Sequence, residues 1–283
     1  MQGLPVVLGF AGSLVLGLLA YRYRTLSKSG VAAALVIAAL LLLGGWQSYL
    51  LMLAFFSSSS VLTLLGYREK ESRGAAEKRG GRDWRQVFCS GGVPAFFSST
   101  LYFIHSPPGI HNSLILALAS TIAFANADTW AVELGSLSRR QPRLVTKPWI
   151  KVPHGVSGGV TLRGECAALL GSTLIGGLAA LLLESSKNSS LPPWSSVNMS
   201  PITLAVLASL IGWLGEVVDS ILGALLQAKY LCPVCGVLSD YEVHSCGSTT
   251  LHVSGFRWVK NEVVNLMVEG IVAVASILIA LRL

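Results

Sequence analysis

The chain has 283 residues, 52% hydrophobic and only 12% charged, with a mean hydropathy of +0.63. Soluble domains carry about 25% charged residues, so this composition excludes an ordinary water-soluble globular protein. The net charge of +7 would point to nucleic acid in a soluble chain. In a membrane chain Lys and Arg collect in cytoplasmic loops instead, and an anionic substrate or lipid is a compatible second reading.

Apolar stretches of span length lie near 4–21, 30–44, 46–65, 86–104, 111–135, 160–184, 201–228 and 262–281. A bilayer core of ~30 Å takes about 20 apolar residues in a helix. The expected fold class is therefore all-α: a polytopic membrane helix bundle of about eight transmembrane helices, both termini on the non-cytoplasmic side. A single integral membrane domain covers 1–283, with a cytoplasmic loop at 67–85, a glycine-rich loop at 145–160 and a Cys/His loop at 229–258. The first stretch has no basic leader and no small-x-small cleavage pattern, so it reads as a retained helix. The second and third are split at Gly44 to Gln47, which predicts two short helices and a tight turn, or one re-entrant unit.

Charge placement tests this order. With the N-terminus outside, every Lys and Arg except Lys187 and Arg282 falls in or beside an inner loop, a steep positive-inside bias. The sequons at Asn188 and Asn198 fall on the outer side. The stretch "YREKESRGAAEKRGGRDWR" mixes charges and predicts a solvated, partly helical loop, or a lid over an anion site. Pro94, inside the fourth stretch, predicts a kink or break.

Three stretches carry acids where a mid-span charge costs ~2.5–3.5 kcal/mol. In "NADTWAVELG" the residues Asn126, Thr129 and Glu133 share one helical stripe, and Asp128 lies off it. In the seventh stretch Gly212, Glu216, Asp219 and Gly223 fall on one face. The eighth places Asn261, Glu262, Asn265 and Glu269 near its start, the asparagines serving as ligands of metal-bound phosphate or as interhelical glue. No basic residue is embedded in these stretches to match the acids. Interfacial or hydrogen-bonded acids are the plain alternative; a Mg²⁺ ion held by Asp128, Glu133, Glu216 and Asp219 resolves the repulsion more economically.

Opposite charge lies next door in "KPWIKVPHGVSGGVTLRGE". Gly155, Ser157, Gly158 and Gly159 allow close backbone approach just before a helix start, and Lys147, Lys151 and Arg163 add charge. It is not a Walker A sequence. Arg82 and Arg85 precede the fourth stretch in a similar way. A glycine-rich anion cradle facing metal-binding carboxylates suits phosphoryl transfer, which runs on positioning and charge neutralisation. A cation- or proton-coupled membrane transporter rests on the same buried acids. A non-catalytic scaffold leaves them unexplained.

"CPVCGVLSDYEVHSC" offers Cys232, Cys235, His244 and Cys246, a donor set suited to structural Zn²⁺. Unligated thiols or a redox pair are the alternatives, and the reducing side disfavours disulfides. Cys89 and Cys166 read as packing residues.

The blocks "DWRQVFCSGGVPA", "NADTWAVELG", "KVPHGVSGGVTLRG", "GEVVDSILGALLQAKY" and "KNEVVNLMVEG" together resemble the membrane family called domain of unknown function 92. That family includes transmembrane protein 19 and the plant phytyl-phosphate kinase. The resemblance runs from about residue 5 to 280. It implies an all-helical integral membrane protein. It also implies a kinase converting an isoprenoid monophosphate, such as phytyl or geranylgeranyl phosphate, to the diphosphate, with CTP or ATP as donor. On that resemblance Asp128 and Asp219 are catalytic candidates, with Glu133 at the metal or phosphate site. Gly155, Ser157, Gly158, Gly159, Asn261 and Asn265 fall in matching blocks. Ser90 stands where the family usually has Asn, and the Cys/His insert belongs to a subset.

Overall fold

The structure, a computed structural model, describes residues 3–76, 80–103, 108–187, 193–244 and 246–283, with the backbone alone for 3–8 and 108. The sequon at Asn188 lies outside these residues. In chain order the long helices are α1 (Gly3–Arg22), α2 (Lys28–Leu43), α3 (Trp46–Leu64), α5 (Trp84–Phe103), α6 (Pro108–Gly135), α7 (Leu162–Lys187), α8 (Pro201–Leu226) and α9 (Asn261–Ala280). A short helix, α4 (Tyr67–Ser72), follows α3. Each predicted stretch is thus helical, within a few residues of its expected bounds. Among the described residues α3, α6, α7, α8 and α9 are long and apolar enough to cross a membrane, and α1 and α2 supply the shorter apolar segments Gly9–Arg22 and Lys28–Leu43.

Local chemistry sets the helix starts. Ser27 caps α2 through Gly30 N–H, and Ser200 caps α8 through Thr203 N–H with Pro201 in the first turn. Asp83 and Gln86 form a reciprocal capping box on α5: Asp83 Oδ1 accepts from the Arg85 and Gln86 amides, and Gln86 Oε1 accepts from Asp83 N–H. Between α2 and α3 the chain turns at Gly45, with φ +106. A side chain on the preceding Gly44 would strike Ser98 of α5, its Cβ 2.2 Å from Ser98 Oγ. The two expected helices and their tight turn are thus present. Pro94 does not break α5, which continues through it.

Helix α6 is the axis of the bundle, packed by α3, α5, α7, α8 and α9. Ile115, Leu116, Leu118, Ile122 and Phe124 are sealed from solvent, so this helix is apolar nearly all round. The outer helices turn apolar side chains outward instead, with Leu181 70% and Ile202 76% exposed. That is a lipid-facing pattern. Small residues bring helices close, as expected in membranes. A Cβ on Gly176 of α7 would lie 2.2 Å from Ser209 Oγ and 2.6 Å from the Ala205 carbonyl of α8. Gly177 beside it has open space. We expect Gly176→Leu to lower stability by ~1–3 kcal/mol through overpacking and Gly177→Ala to be neutral or mildly stabilising. Thermal melting of the two variants in detergent checks both.

The connections joining the helices are not plain loops. Strands β1 (Arg143–Leu144), β2 (Lys147–Lys151) and β3 (Gly159–Val160) form an antiparallel sheet ordered β2-β1-β3. Strands β4 (Lys229–Leu231), β5 (Leu238–Ser239) and β6 (Leu251–Ser254) form a second, ordered β5-β4-β6. The all-helical expectation thus holds for the bundle, and these sheets add to it. Their short strands lack the alternation that reveals a strand in sequence.

The 67–85 stretch is partly helical and largely exposed in its described residues, but Lys70 and Arg73 anchor it. Lys70 is 1% exposed, and Arg73 Nη1 donates to the Ser136 and Ser138 carbonyls at 2.6 and 2.7 Å. Its far end pairs with the α1–α2 connection: Ser27 N–H donates to Arg82 O, and Arg82 N–H to Thr25 O, both at 3.0 Å. These contacts gather the basic connections at one end of the bundle.

A candidate acidic site at the junction of three helices

Helix α6 has 28 residues. At 1.5 Å per residue that is ~42 Å, longer than a ~30 Å hydrocarbon core. Its last turns can therefore stand clear of the apolar layer, which answers how Asp128 and Glu133 are tolerated there.

The acids divide between two faces of α6. Glu133 and Asn126 look toward α3. Thr63 Oγ1 donates to Glu133 Oε1 at 2.6 Å, and Lys70 Nζ of α4 forms an ion pair with Glu133 Oε2. Lys70 Nζ also donates to the Leu62 and Thr63 carbonyls, capping the end of α3. One expectation is corrected here: Glu133 is matched by Lys70, which reaches it from α4, rather than grouped with the other metal candidates. Lys70 was hidden because its neighbours Glu69 and Glu71 make the segment look solvated. Asn126 is interhelical glue: its Oδ1 accepts from Ser58 and Ser59, and its Nδ2 donates to the Gly171 carbonyl at 2.8 Å.

Asp128 looks the other way, into the junction of α6, α8 and α9. Asn265 lies between Asp128 and Asp219. In one amide orientation its Nδ2 donates to Asp128 Oδ2 at 3.4 Å; in the other, to the Asn261 carbonyl at 2.9 Å and Asp219 Oδ1 at 3.3 Å. Glu216 sits one turn back on α8, its Oε1 accepting from Ser220, and its buried Oε2 has no hydrogen-bond partner. The electrostatic neighbours of Asp219 are Asp128 and Glu216, and those of Glu216 are Glu165 and Asp128. Arg82 is within electrostatic reach of Asp128. Glu216 and Asp219 are 4% and 8% exposed. Glycines make this possible. A Cβ on Gly212 would lie 2.7 Å from Ala123 Cβ, and one on Gly215 would meet Phe124 and Val272, so α8 presses directly on α6 and α9.

Glu165, at the start of α7, was not anticipated; it joins the cluster through Glu216. Glu269 is fully buried, with neither carboxylate oxygen hydrogen-bonded. It has Cys89 of α5 within its electrostatic reach. Its spacing of one turn from Asn265 was the signal for it.

The glycine-rich loop adjoins this cluster but is already engaged. A Cβ on Gly223, one turn beyond Asp219, would lie 2.2 Å from Ser157 Oγ. Gly158 has φ +76, and a Cβ there would be 2.4 Å from Ala224 Cβ, so only glycine fits against α8. Gly159 bonds back to Val156 and is squeezed by Val152, while Gly155, with φ +82, abuts Ala75. The Ser157 N–H, expected to face an incoming anion, donates to Asp240 Oδ2 at 2.8 Å. Lys229 Nζ donates to the Ser157 and Gly223 carbonyls at 2.7 and 3.2 Å. Burial pushes the Asp240 carboxyl above its usual range, partly offset by Lys229 and the Ser157 amide. Burial likewise pulls the Lys229 ammonium down, partly offset by Asp240.

Other expected phosphate ligands lie apart. Lys147 and Lys151 flank Trp149 on β2, every residue of which is exposed. Arg163 Nη1 donates to the Leu137 carbonyl at 3.0 Å, tying α7 to the end of α6. Asn261 is exposed, and only its carbonyl meets Asn265. Cys166 is exposed rather than packed, and Cys89 is half-buried.

On the other side of Arg82 lies an apolar cavity among α1, α2, α3 and α5. Its cavity volume is about 100 Å³, and it is open on one side. Leu16, Ile37, Met52 and Phe56 are among its apolar lining residues, and Ser13, Tyr49, Arg82, Gln86 and Ser90 are its polar ones.

The profile of the family described as integral membrane protein DUF92 matches residues 11–273. The chain belongs to the DUF92 family of integral membrane proteins. It is similar to Protein PGR of Arabidopsis thaliana, 33% identical over 238 residues, covering 77% of each chain. It is similar also to Protein VTE6, chloroplastic, of the same plant, 31% identical over 216 residues, covering 74% of this chain and 51% of that one. Uncharacterized membrane protein MJ0933 of Methanocaldococcus jannaschii is 30% identical over 163 residues, covering 58% of this chain and 56% of its own. The chain thus spans about half the length of the latter two. No solved structure matches it. The matched region begins within α1 and ends within α9, so the acidic junction lies inside it.

Proposed function

We propose that this DUF92 protein is a Mg²⁺-dependent kinase that phosphorylates an isoprenoid monophosphate to the diphosphate at the cytoplasmic face of the membrane, with CTP or ATP as donor. The observation that carries the reading is the position of Arg82. Arg82 lies within electrostatic reach of Asp128 and is also one of the residues lining the apolar cavity. A lipid phosphate needs that pairing: a greasy slot for the tail and a cation at the head.

The donor set fits the metal. Asp128, Glu216, Asp219 and the Asn265 amide oxygen are hard oxygen ligands, and the unpartnered Glu216 Oε2 lies buried among other acids. When bound, Mg²⁺ supplies neutralisation of the charge on the donor phosphates. Asn265, lying between the two aspartates, fixes their orientation. Arg82 holds the acceptor phosphate by charge-assisted hydrogen bonds. An oxygen of that phosphate attacks the terminal phosphorus of the donor, the bridging P–O bond to the leaving phosphate breaks, and the nucleoside diphosphate departs. The acceptor is already ionised near neutral pH, so no side chain need act as base. The helices of the cavity exclude water from the tail. Lys147, Lys151 and Asn261, exposed at the same end, offer contacts to the donor nucleotide. The positive-inside bias of the sequence supports a cytosolic position for this end.

The direct test supplies detergent-solubilised protein with Mg²⁺, CTP or ATP, and phytyl or geranylgeranyl phosphate. Diphosphate should form; bound lipid without product would overturn the reading. Arg82→Gln should raise KM for the lipid phosphate ~10–100-fold, with a much smaller change for the nucleotide. Steady-state kinetics with each substrate varied in turn measures this.

A further inference from the structure

The module between α8 and α9 brings four soft and borderline donors together. The first turn, Cys232 to Gly236, closes with Gly236 N–H donating to Cys232 O at 2.9 Å and Gly236 at φ +67. Within it the Cys235 N–H points at Cys232 Sγ, 3.4 Å away. The second turn runs from His244 to Gly247, where Gly247 N–H donates to His244 O at 2.8 Å. The β4–β6 pairing and the Val243–Thr249 bridge set this turn opposite the first. As a result Cys232 Sγ is 3.7 Å from Cys246 Sγ, His244 Nδ1 is 3.1 Å from Cys246 Sγ, and ligand atoms of Cys232, Cys235, His244 and Cys246 all lie within 4.8 Å of one another. Tetrahedral Zn²⁺ with Zn–S near 2.3 Å separates its sulfurs by about 3.8 Å. A disulfide would need its sulfurs at about 2.05 Å.

The module also has a mechanical connection. Asp240, between the two turns, accepts from Ser157 N–H of the glycine-rich loop at 2.8 Å and from Gln227 Nε2 of the α8 terminus at 2.9 Å. Lys229, at the base of the module, holds the Ser157 carbonyl. The small sheet alone has short strands and leaves Val234, Val243, Leu251 and Val253 exposed, too little buried core to order such a loop without a staple.

We propose that Cys232, Cys235, His244 and Cys246 bind one structural Zn²⁺, and that this ion sets the module so that Asp240 clamps the glycine-rich loop against α8. Zinc then acts on the acidic junction at one remove, through Ser157 and Gly223. The proposal is independent of the kinase reading, and none of its readouts is activity.

The experiment uses full-length protein in detergent, prepared with reductant and supplemented zinc. Elemental analysis should find about one zinc per chain, as a closed four-ligand site requires. Cobalt exchange should give the intense thiolate-to-metal absorption and visible bands of a tetrahedral site. Cys235→Ser and His244→Ala should lose the metal, and Cys166→Ser should keep it. Hydrogen exchange at the Ser157 amide should quicken at least ~10-fold on chelation. Asp240→Ala should quicken it equally while retaining zinc, which separates the clamp from the metal. Substoichiometric zinc in the wild type, or a two-dalton mass loss marking a disulfide in its place, would overturn the site. Unchanged exchange at Ser157 after chelation would overturn the clamp.

Discussion

Asp219→Asn and Asp128→Asn should each lower turnover by about 10³-fold, or ~4 kcal/mol of barrier, while leaving the protein folded. The reason is the company these carboxylates keep. Asp219 has Asp128 and Glu216 as its electrostatic neighbours, and Asn265 is interposed between the two aspartates. Carboxylates crowded in this way repel one another unless a cation joins them. Two effects of opposite sign follow. Without Mg²⁺ the Asn variants should melt no lower than the wild type, since one negative charge has left the junction. With Mg²⁺ the wild type should melt higher and the variants should gain much less, because only the intact site binds the ion. A residue kept for packing would behave in reverse, with a lower melting point in chelator and an unaltered Mg²⁺ response. Melting scans with and without chelator, run beside diphosphate formation, separate the two roles. Nucleotide-independent cation flux in liposomes that Asp219→Asn abolishes would instead favour a transporter.

Lys70→Met is expected to be the most destabilising single change outside the apolar core, by ~3–5 kcal/mol. Both partners of the Lys70–Glu133 pair are nearly sealed from solvent, with side chains 1% and 8% exposed. Removing the ammonium strands the carboxylate and also uncaps the Leu62 and Thr63 carbonyls that Lys70 satisfies. The double variant Lys70→Met with Glu133→Gln should recover much of the loss. A neutral amide can still accept from Thr63 Oγ1, so no charge is left buried. Chemical unfolding in detergent micelles measures the four members of this cycle. Equal losses in the single and double variants would show that the helix-end carbonyls, rather than the stranded charge, set the cost. The pair holds α4 on α3 and α6.

The sequence by itself determined the membrane class, the positions of the helices and the identity of the acids. Those follow from run length, from charge placement and from the cost of a carboxylate in an apolar helix, all local properties. It also determined that Glu216 and Asp219 share a face of α8, and that Asp128 lies off the Asn126–Glu133 stripe, because helical periodicity alone sets those angles. The donor set of the Cys/His loop was legible in the same way. The tertiary structure alone decided which acids meet. Asp128 joins Asp219 through Asn265, while Glu133, about one and a half turns further along α6, turns to Lys70. That choice depends on which neighbouring helix occupies each side of α6, and nothing in the spacing of "NADTWAVELG" encodes the neighbour. The same holds for the glycine-rich loop. Its composition declared freedom for backbone amides, but the partner of the Ser157 amide is Asp240, 83 residues away in sequence. Contacts of that range arise from the packing of α8 against the loop, where Gly158 and Gly223 let two backbones approach.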